Sequence, residues 1–256
     1  MGRIITITNQ KGGVGKTTTA INLSACLAEA GQHVLLVDFD PQGNASSGLG
    51  LEREDFEHTV YDMLTEEAVP EACIIKGIQE NLDLLPSDMN LAGAEIEFQE
   101  EDGKESMLQS YLKKIKEPYD FILIDCPPSL NILTINALTA ADTVLVPIQC
   151  EYYALEGLNQ VLKTIDLVKR KLNPNLELEG VVFTMYDSRT NLSLEVVESV
   201  KNSLNRTIYN TIIPRNVRLA EAPSHGMSIN MYESRSTGAE SYRMLAAEVM
   251  SRGEEL

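Results

Sequence analysis

The stretch Lys11-Gly12-Gly13-Val14-Gly15-Lys16-Thr17-Thr18 constrains this chain more than any other. An apolar run, Ile4-Ile-Thr-Ile-Thr8, precedes it, and a segment of helical period from about Lys16 to Ala30 follows, with Gly31 placed as a C-cap. A strand that turns through glycines straight into a helix aims successive backbone N–H groups at one point. The positive end of the helix dipole falls at the same place, so the loop is a cradle for phosphate. Lys16 then suits the β- and γ-phosphates of a nucleotide and the Thr17 hydroxyl suits Mg²⁺. Thr18 falls near the α-phosphate, and Gly12, Gly13, Val14 and Gly15 supply the curled backbone. The pattern G-x-x-x-x-G-K-S/T is met with one departure: Gln10 stands where the first glycine belongs, and a second lysine, Lys11, comes next.

Beyond the loop, short apolar runs alternate with helix-length segments. Strands are expected at His33–Asp38, Asn81–Pro86, Tyr119–Asp125, Thr143–Ile148, Glu179–Met185 and Ile208–Pro214. Helices are expected at Leu155–Leu172, Leu192–Leu204 and Ala239–Ser251. This βαβ alternation predicts an α/β fold, a mostly parallel central sheet flanked by helices on both faces. No repeat, low-complexity tract or linker divides the chain, so residues 1–256 are expected to form one domain. A chain of 256 residues is long enough to bury a large core, about 70–75% of its unfolded surface.

Two groups of carboxylates belong with the loop. Asp125 ends the buried run Phe121-Ile-Leu-Ile-Asp125, where a carboxylate suits a Mg²⁺ ligand acting through water. Asp38 and Asp40 end the preceding strand. In-line phosphoryl transfer needs a positioned water and charge neutralisation. Asp40, Lys11, Lys16 and Mg²⁺ supply both, with Asp40 a second candidate to reach the metal through water. Asp38 is either part of that chemistry or a structural carboxylate that caps the loop.

The net charge of −17 would argue against binding a polyanion if it were uniform. It is not: residues 52–105 carry 17 acidic and 3 basic side chains, a net of −14. That stretch is either a solvated helical face or a surface that meets a basic partner or repels DNA. From 187 to 218 the balance turns positive through Arg189, Lys201, Arg206, Arg215 and Arg218. The cysteines Cys26, Cys73, Cys126 and Cys150 form no CxxC pair and read as reduced thiols used as small hydrophobes. No apolar stretch approaches the ~18–20 residues that span a bilayer, and the start reads directly into a strand, so secretion by a signal peptide is not expected.

Lys11 beside a Gly-rich GKT loop resembles the deviant phosphate loop of the MinD/ParA family of P-loop ATPases. Further segments carry the likeness: Asp38-Phe-Asp-Pro-Gln-Gly-Asn-Ala-Ser46 resembles the first switch, and Ile124-Asp-Cys-Pro-Pro-Ser129 the second. Pro147-Ile-Gln-Cys-Glu-Tyr-Tyr-Ala-Leu-Glu-Gly157 and Ile213-Pro-Arg-Asn-Val-Arg-Leu-Ala-Glu-Ala-Pro-Ser-His-Gly226 are similar to the short Soj-type ParA proteins. The resemblance implies an ATPase that binds ATP and Mg²⁺ and is slow without a partner. It implies an ATP-dependent homodimer in which Lys11 reaches the partner subunit's phosphates and Asp40 orients the attacking water. It also implies non-specific binding to double-stranded DNA, stimulation of hydrolysis by a ParB-type centromere-binding protein, and a cytoplasmic, nucleoid-associated location. The family's DNA contacts match Arg189 and Arg218 by position, then Lys201, Arg206 and Arg215, and its adenine pocket matches Met185, Pro214 and Asn216.

Four other readings fit the loop less well. A MinD-like membrane-cycling ATPase would end in a basic amphipathic helix, whereas Met250-Ser-Arg-Gly-Glu-Glu-Leu256 is short and acidic, so no stable membrane association is expected. An iron–sulfur carrier on this fold would need cluster cysteines at a dimer interface, and Cys126 has no evident companion. A small-molecule ligase is another enzyme class on the fold. A nucleotide sensor without turnover is the binding-module alternative, and intact Asp40 and Lys11 speak against it.

Overall fold

A computed structural model describes residues 2–98, 103–204 and 208–253. Its strands are β1 (Arg3–Ile7), β2 (Val34–Asp38), β3 (Ile75–Gln79), β4 (Leu82–Leu85), β5 (Phe121–Asp125), β6 (Thr143–Gln149), β7 (Glu177–Tyr186) and β8 (Ile208–Pro214). They form one sheet in the order β3-β4-β2-β5-β1-β6-β7-β8. Every neighbouring pair is parallel except β3 and β4, an antiparallel hairpin that turns through Asn81 at φ 62°.

The helices are α1 (Lys16–Glu29), α2 (Asn44–Gly48), α3 (Val60–Leu64), α4 (Leu91–Glu97), α5 (Met107–Ile115), α6 (Ile132–Ala140), α7 (Ala154–Lys171), α8 (Asn191–Ser203), α9 (Val217–Glu221), α10 (Ile229–Tyr232) and α11 (Thr237–Gly253). Helices α1, α2 and α9–α11 cover one face of the sheet and α3–α8 the other. The strands serve both faces by strict alternation: Leu35 and Val37 enter one core, Val34 and Leu36 the other. Parallel strands buried on both sides read as continuous apolar runs, which is why these runs were visible in the sequence.

Element types agree with expectation and boundaries move by at most two residues. Helix α1 ends as its glycine requires: Gly31 sits at φ 86°, and Gln32 N–H reaches the Leu27 carbonyl at 3.1 Å. Strand β3, Ile-Lys-Gly-Ile-Gln, is an unforeseen edge strand whose polar residues mask the alternation. The acidic stretch is not one helical face. It is divided among short helices, turns and the hairpin, and several of its carboxylates are local anchors. Asp62 caps α3 through the Thr59 N–H, Asp83 takes the Gly77 N–H and Lys76, and Asp88 pairs with Arg53. All four cysteines are free and buried. Among the described residues, no helix is long and apolar enough to cross a membrane.

Candidate active site

The loop from β1 to α1 is braced from three sides. The buried Asn9 carboxamide donates to the Pro147 carbonyl at 2.8 Å, and its oxygen accepts the Lys11 N–H at 3.0 Å. The Thr184 hydroxyl of β7 donates to the Val14 carbonyl at 2.8 Å. Gly13 and Gly15 take φ of 74° and 88°, the left-handed backbone that lets the loop curl. Gly12 and Gly13 stay exposed, so the cradle opens outward.

Lys16 starts α1 with its side chain buried, and its ammonium donates to the Lys11 carbonyl at 3.1 Å. Burial lowers its pKa, and the charges of Asp125, Cys126 and Asp40 work in the opposite direction. Phosphate oxygens placed on the loop would satisfy this ammonium better than one carbonyl does. Lys11 is only partly buried; its ammonium pairs with Glu151 and lies 6.0 Å from the Tyr153 ring centroid.

Parallel register brings the carboxylates beside the loop. Asp125 of β5 stands opposite Ile7 of β1 on one side and Asp38 of β2 on the other. Asp38 is buried and its carboxylate accepts the Ser46 N–H at 2.8 Å and the Ser46 hydroxyl at 2.7 Å. It therefore fastens α2, the structural alternative open at the sequence level; burial pushes its pKa up to about 6. Asp40 is 5% exposed, and one oxygen accepts the Gln42 N–H at 3.0 Å.

Asp125 is fully buried, and neither of its oxygens has a well-formed hydrogen bond. Burial holds its pKa well above the usual carboxylate range; Asp38 adds to the rise and the adjacent Thr17 hydroxyl opposes it. A buried carboxylate without donors is unfavourable unless a cation or its water shell completes it. Asp125 beside Thr17 therefore fits Mg²⁺. Among the described residues no cluster of three or more His, Cys, Asp or Glu forms a protein-only metal site. Mg²⁺ needs none, since it keeps several waters and takes ligands from phosphates and one or two protein oxygens.

A cleft of about 170 Å³ opens beside the loop between Gly15 and Thr18 on one wall and Met185, Pro214 and Asn216 on the other. The three base-pocket candidates thus meet at the end of β7 and the exit of β8. Thr184, Leu219 and Tyr242 also line the cleft, although the sequence did not single them out. Met185 holds φ 51°, a left-handed conformation rare for a non-glycine residue and concentrated at functional sites.

The basic candidates are placed less uniformly. Arg189 is exposed and grips Asp187 with two bonds, at 2.8 and 2.7 Å. Arg218 pairs with Glu221 at 2.8 Å. Lys201 is exposed in the last turn of α8, and Arg215 lines the cleft. Arg206 lies outside the described residues. Asn9 and Glu151 contact the loop and were not named as site residues. Glu151 lies in the 147–157 segment, whose likeness to a family was its only signal.

Comparison with known proteins follows the same lines. The family model of the AAA domain matches residues 2–178. The sporulation initiation inhibitor protein Soj of Bacillus subtilis is 57% identical over 253 residues, 99% of this chain and 100% of its own length. The chromosome partitioning protein ParA of Myxococcus xanthus is 51% identical, covering 98% of this chain and 89% of its own. Among solved structures, cobyrinic acid a,c-diamide synthase from Mycobacterium smegmatis, with bound ADP and magnesium, superposes with a TM-score of 0.87 at 38% identity, covering 99% of this chain and 96% of that one.

Proposed function

This chain belongs to the Soj/ParA family of chromosome-partitioning ATPases, and from that premise we propose that it hydrolyses Mg²⁺-ATP, dimerises in the ATP state and binds double-stranded DNA without sequence preference. The observation that carries the nucleotide reading is a single constellation: the curled loop, the buried Lys16, the unsatisfied Asp125 and the cleft at Met185, Pro214 and Asn216.

Position supports the following residue roles. Loop N–H groups and Lys16 hold the phosphates, and the Thr17 hydroxyl and Asp125, through water, hold Mg²⁺. Bound there, the ion would supply charge neutralisation for the phosphoryl group. Asp40, buried just beyond β2, orients the attacking water, and Lys11 adds charge from a second copy. Two copies together present Arg189, Arg218, Lys201, Arg206 and Arg215 twice over, so ATP controls DNA affinity by joining two weak patches into one. Hydrolysis separates the copies and releases DNA. A ParB-type protein stimulates that step, and the chain spends its ATP-bound time on the nucleoid.

The test is binding to a long random-sequence duplex without nucleotide, with ADP and with ATP, at two salt concentrations. Binding that is tight and salt-sensitive only with ATP is expected. No binding in any state would overturn the DNA reading and turn attention to vesicles of anionic lipid.

A further inference from the structure

Lys11 is pinned along its backbone and engaged at its tip. Its N–H is taken by the Asn9 carboxamide and its carbonyl by the Lys16 ammonium. Its own ammonium pairs with Glu151, and the Tyr153 ring lies within cation–π reach at 6.0 Å. Glu151 is just as fixed. Its N–H donates to the Gln149 carbonyl at 2.8 Å, and its carbonyl accepts the Ala154 N–H at 3.0 Å at the entry to α7. The two side chains are 38% and 33% exposed, enough to be reached by another molecule yet not fully screened.

We propose that Glu151 is a positioning residue for Lys11: it holds the ammonium within its own chain, and the nucleotide of a second copy must displace it. The inference rests on the reading above, in which Lys11 serves a partner subunit. The exchange is chemically ordered. Phosphates arriving in the chain's own site draw the Lys16 ammonium off the Lys11 carbonyl, which loosens the Lys11 backbone. A triphosphate from the second copy then competes with one carboxylate for the Lys11 ammonium and brings more charge to that competition. A diphosphate brings less. Glu151 thus favours association of ATP-loaded chains over empty or ADP-loaded ones.

The test compares wild type, Glu151→Gln, Lys11→Ala, their double variant and Glu156→Gln, a nearby acid in the first turn of α7. Association is measured by sedimentation equilibrium with a non-hydrolysable ATP analogue. Each pair is of the partly exposed kind, so releasing two per dimer is expected to tighten association of Glu151→Gln by about threefold to twentyfold. Glu156→Gln should gain nothing, and adding Glu151→Gln to Lys11→Ala should restore nothing. A second readout needs no dimer: in the nucleotide-free chain, acylation of Lys11 by an amine-reactive reagent, followed by mass spectrometry, should be severalfold faster in Glu151→Gln. Equal or weaker association of Glu151→Gln, beside a wild type that dimerises, overturns the role of Glu151 alone. An equal gain in Glu156→Gln reduces the effect to general charge and also overturns it. A wild type that stays monomeric with the analogue overturns the dimer reading, and this proposal with it.

Discussion

Asp38 and Asp125 stand opposite one another in the parallel register of β2 and β5, yet only Asp38 has its charge satisfied. Asp38 accepts two bonds from Ser46 and a longer one, at 3.3 Å, from the Asp40 N–H. Even so, burial outweighs those donors, and its pKa rises from 3.8 to about 6. A carboxyl raised in the folded state stabilises when protonated. Its contribution is fully present below the unfolded value and is lost as pH rises through the folded one. The nucleotide-free chain is therefore expected to lose stability between about pH 4 and pH 6, by something on the order of 2–3 kcal/mol for a shift of this size. Urea unfolding across that range should show the loss, and Asp38→Asn should reduce it, leaving the part that Asp125, also raised by burial, contributes. Stability that rises over the same window in wild type would contradict the assignment.

Asp125 makes the sharper mutational case. Burial makes its ionised form costly and the Thr17 hydroxyl offsets this only in part, so Asp125→Asn removes an unfavourable ionisation from the empty site. Thermal unfolding of the nucleotide-free variant is expected at a higher temperature than wild type, by about 1–3 kcal/mol in stability, or several degrees in a chain this long. The same variant should lose most of the extra stabilisation that Mg²⁺ adds to bound ATP. A variant that is less stable when empty and equally responsive to Mg²⁺ would remove Asp125 from the metal site.

Much of this was legible in the residues because the loop is a local device. Gly13, Gly15, Lys16 and Thr17 act through backbone curl and a helix start, and both are written within eight consecutive residues. Asp125 was legible because a carboxylate ending a continuous apolar run has few other reasons to be there. What stayed hidden is what sheet order brings together. Asn9 braces the loop against Pro147, 138 residues away, and Thr184 does so against Val14, 170 residues away. No spacing rule reports such meetings. The same holds for Tyr242, which reaches the cleft from α11 and shares a 3.2 Å hydrogen bond with Thr19. Charge counting failed differently in the 52–105 stretch: net charge says nothing about which acids are capping a turn.

Arg189 is a DNA candidate whose guanidinium is already occupied by Asp187, and Arg215 adds its charge to the same aspartate. DNA phosphate must compete with that carboxylate. Asp187→Asn is thus expected to bind random duplex severalfold more tightly in the ATP state. Arg189→Ala should bind more weakly, with a salt slope shallower by about 0.9 for each phosphate it no longer neutralises. Fluorescence anisotropy over a salt series reads both. Unchanged slopes in Arg189→Ala would take that residue off the DNA surface.

Asp40 lies two residues beyond the end of β2 with one oxygen on the Gln42 N–H, and the proposed role has its carboxylate orient the attacking water. Its removal leaves the loop, Lys16 and the metal ligands in place. Asp40→Ala is therefore expected to bind ATP, dimerise and hold DNA while turnover falls by about 10²–10⁴-fold, the range for losing a positioned base. Phosphate release measured with saturating DNA checks this. Turnover near the wild-type rate would remove Asp40 from catalysis.

Lys11 is separable from nucleotide binding because the loop's hold on phosphate runs through its backbone and Lys16. Lys11→Ala keeps the Asn9 bond to the Lys11 N–H and the carbonyl facing Lys16, since both involve main-chain atoms. Affinity for a fluorescent ATP analogue should stay within a few-fold of wild type. Dimerisation should fail, because the missing ammonium would have neutralised charge on the partner's nucleotide across the interface. With it should go most of the DNA affinity, since two patches held together bind far more tightly than either alone. Light scattering with ATP and DNA titration on the same sample decide the matter. An ATP-induced dimer of Lys11→Ala would mean that this lysine works within its own chain, and it would overturn the role proposed for Glu151 as well.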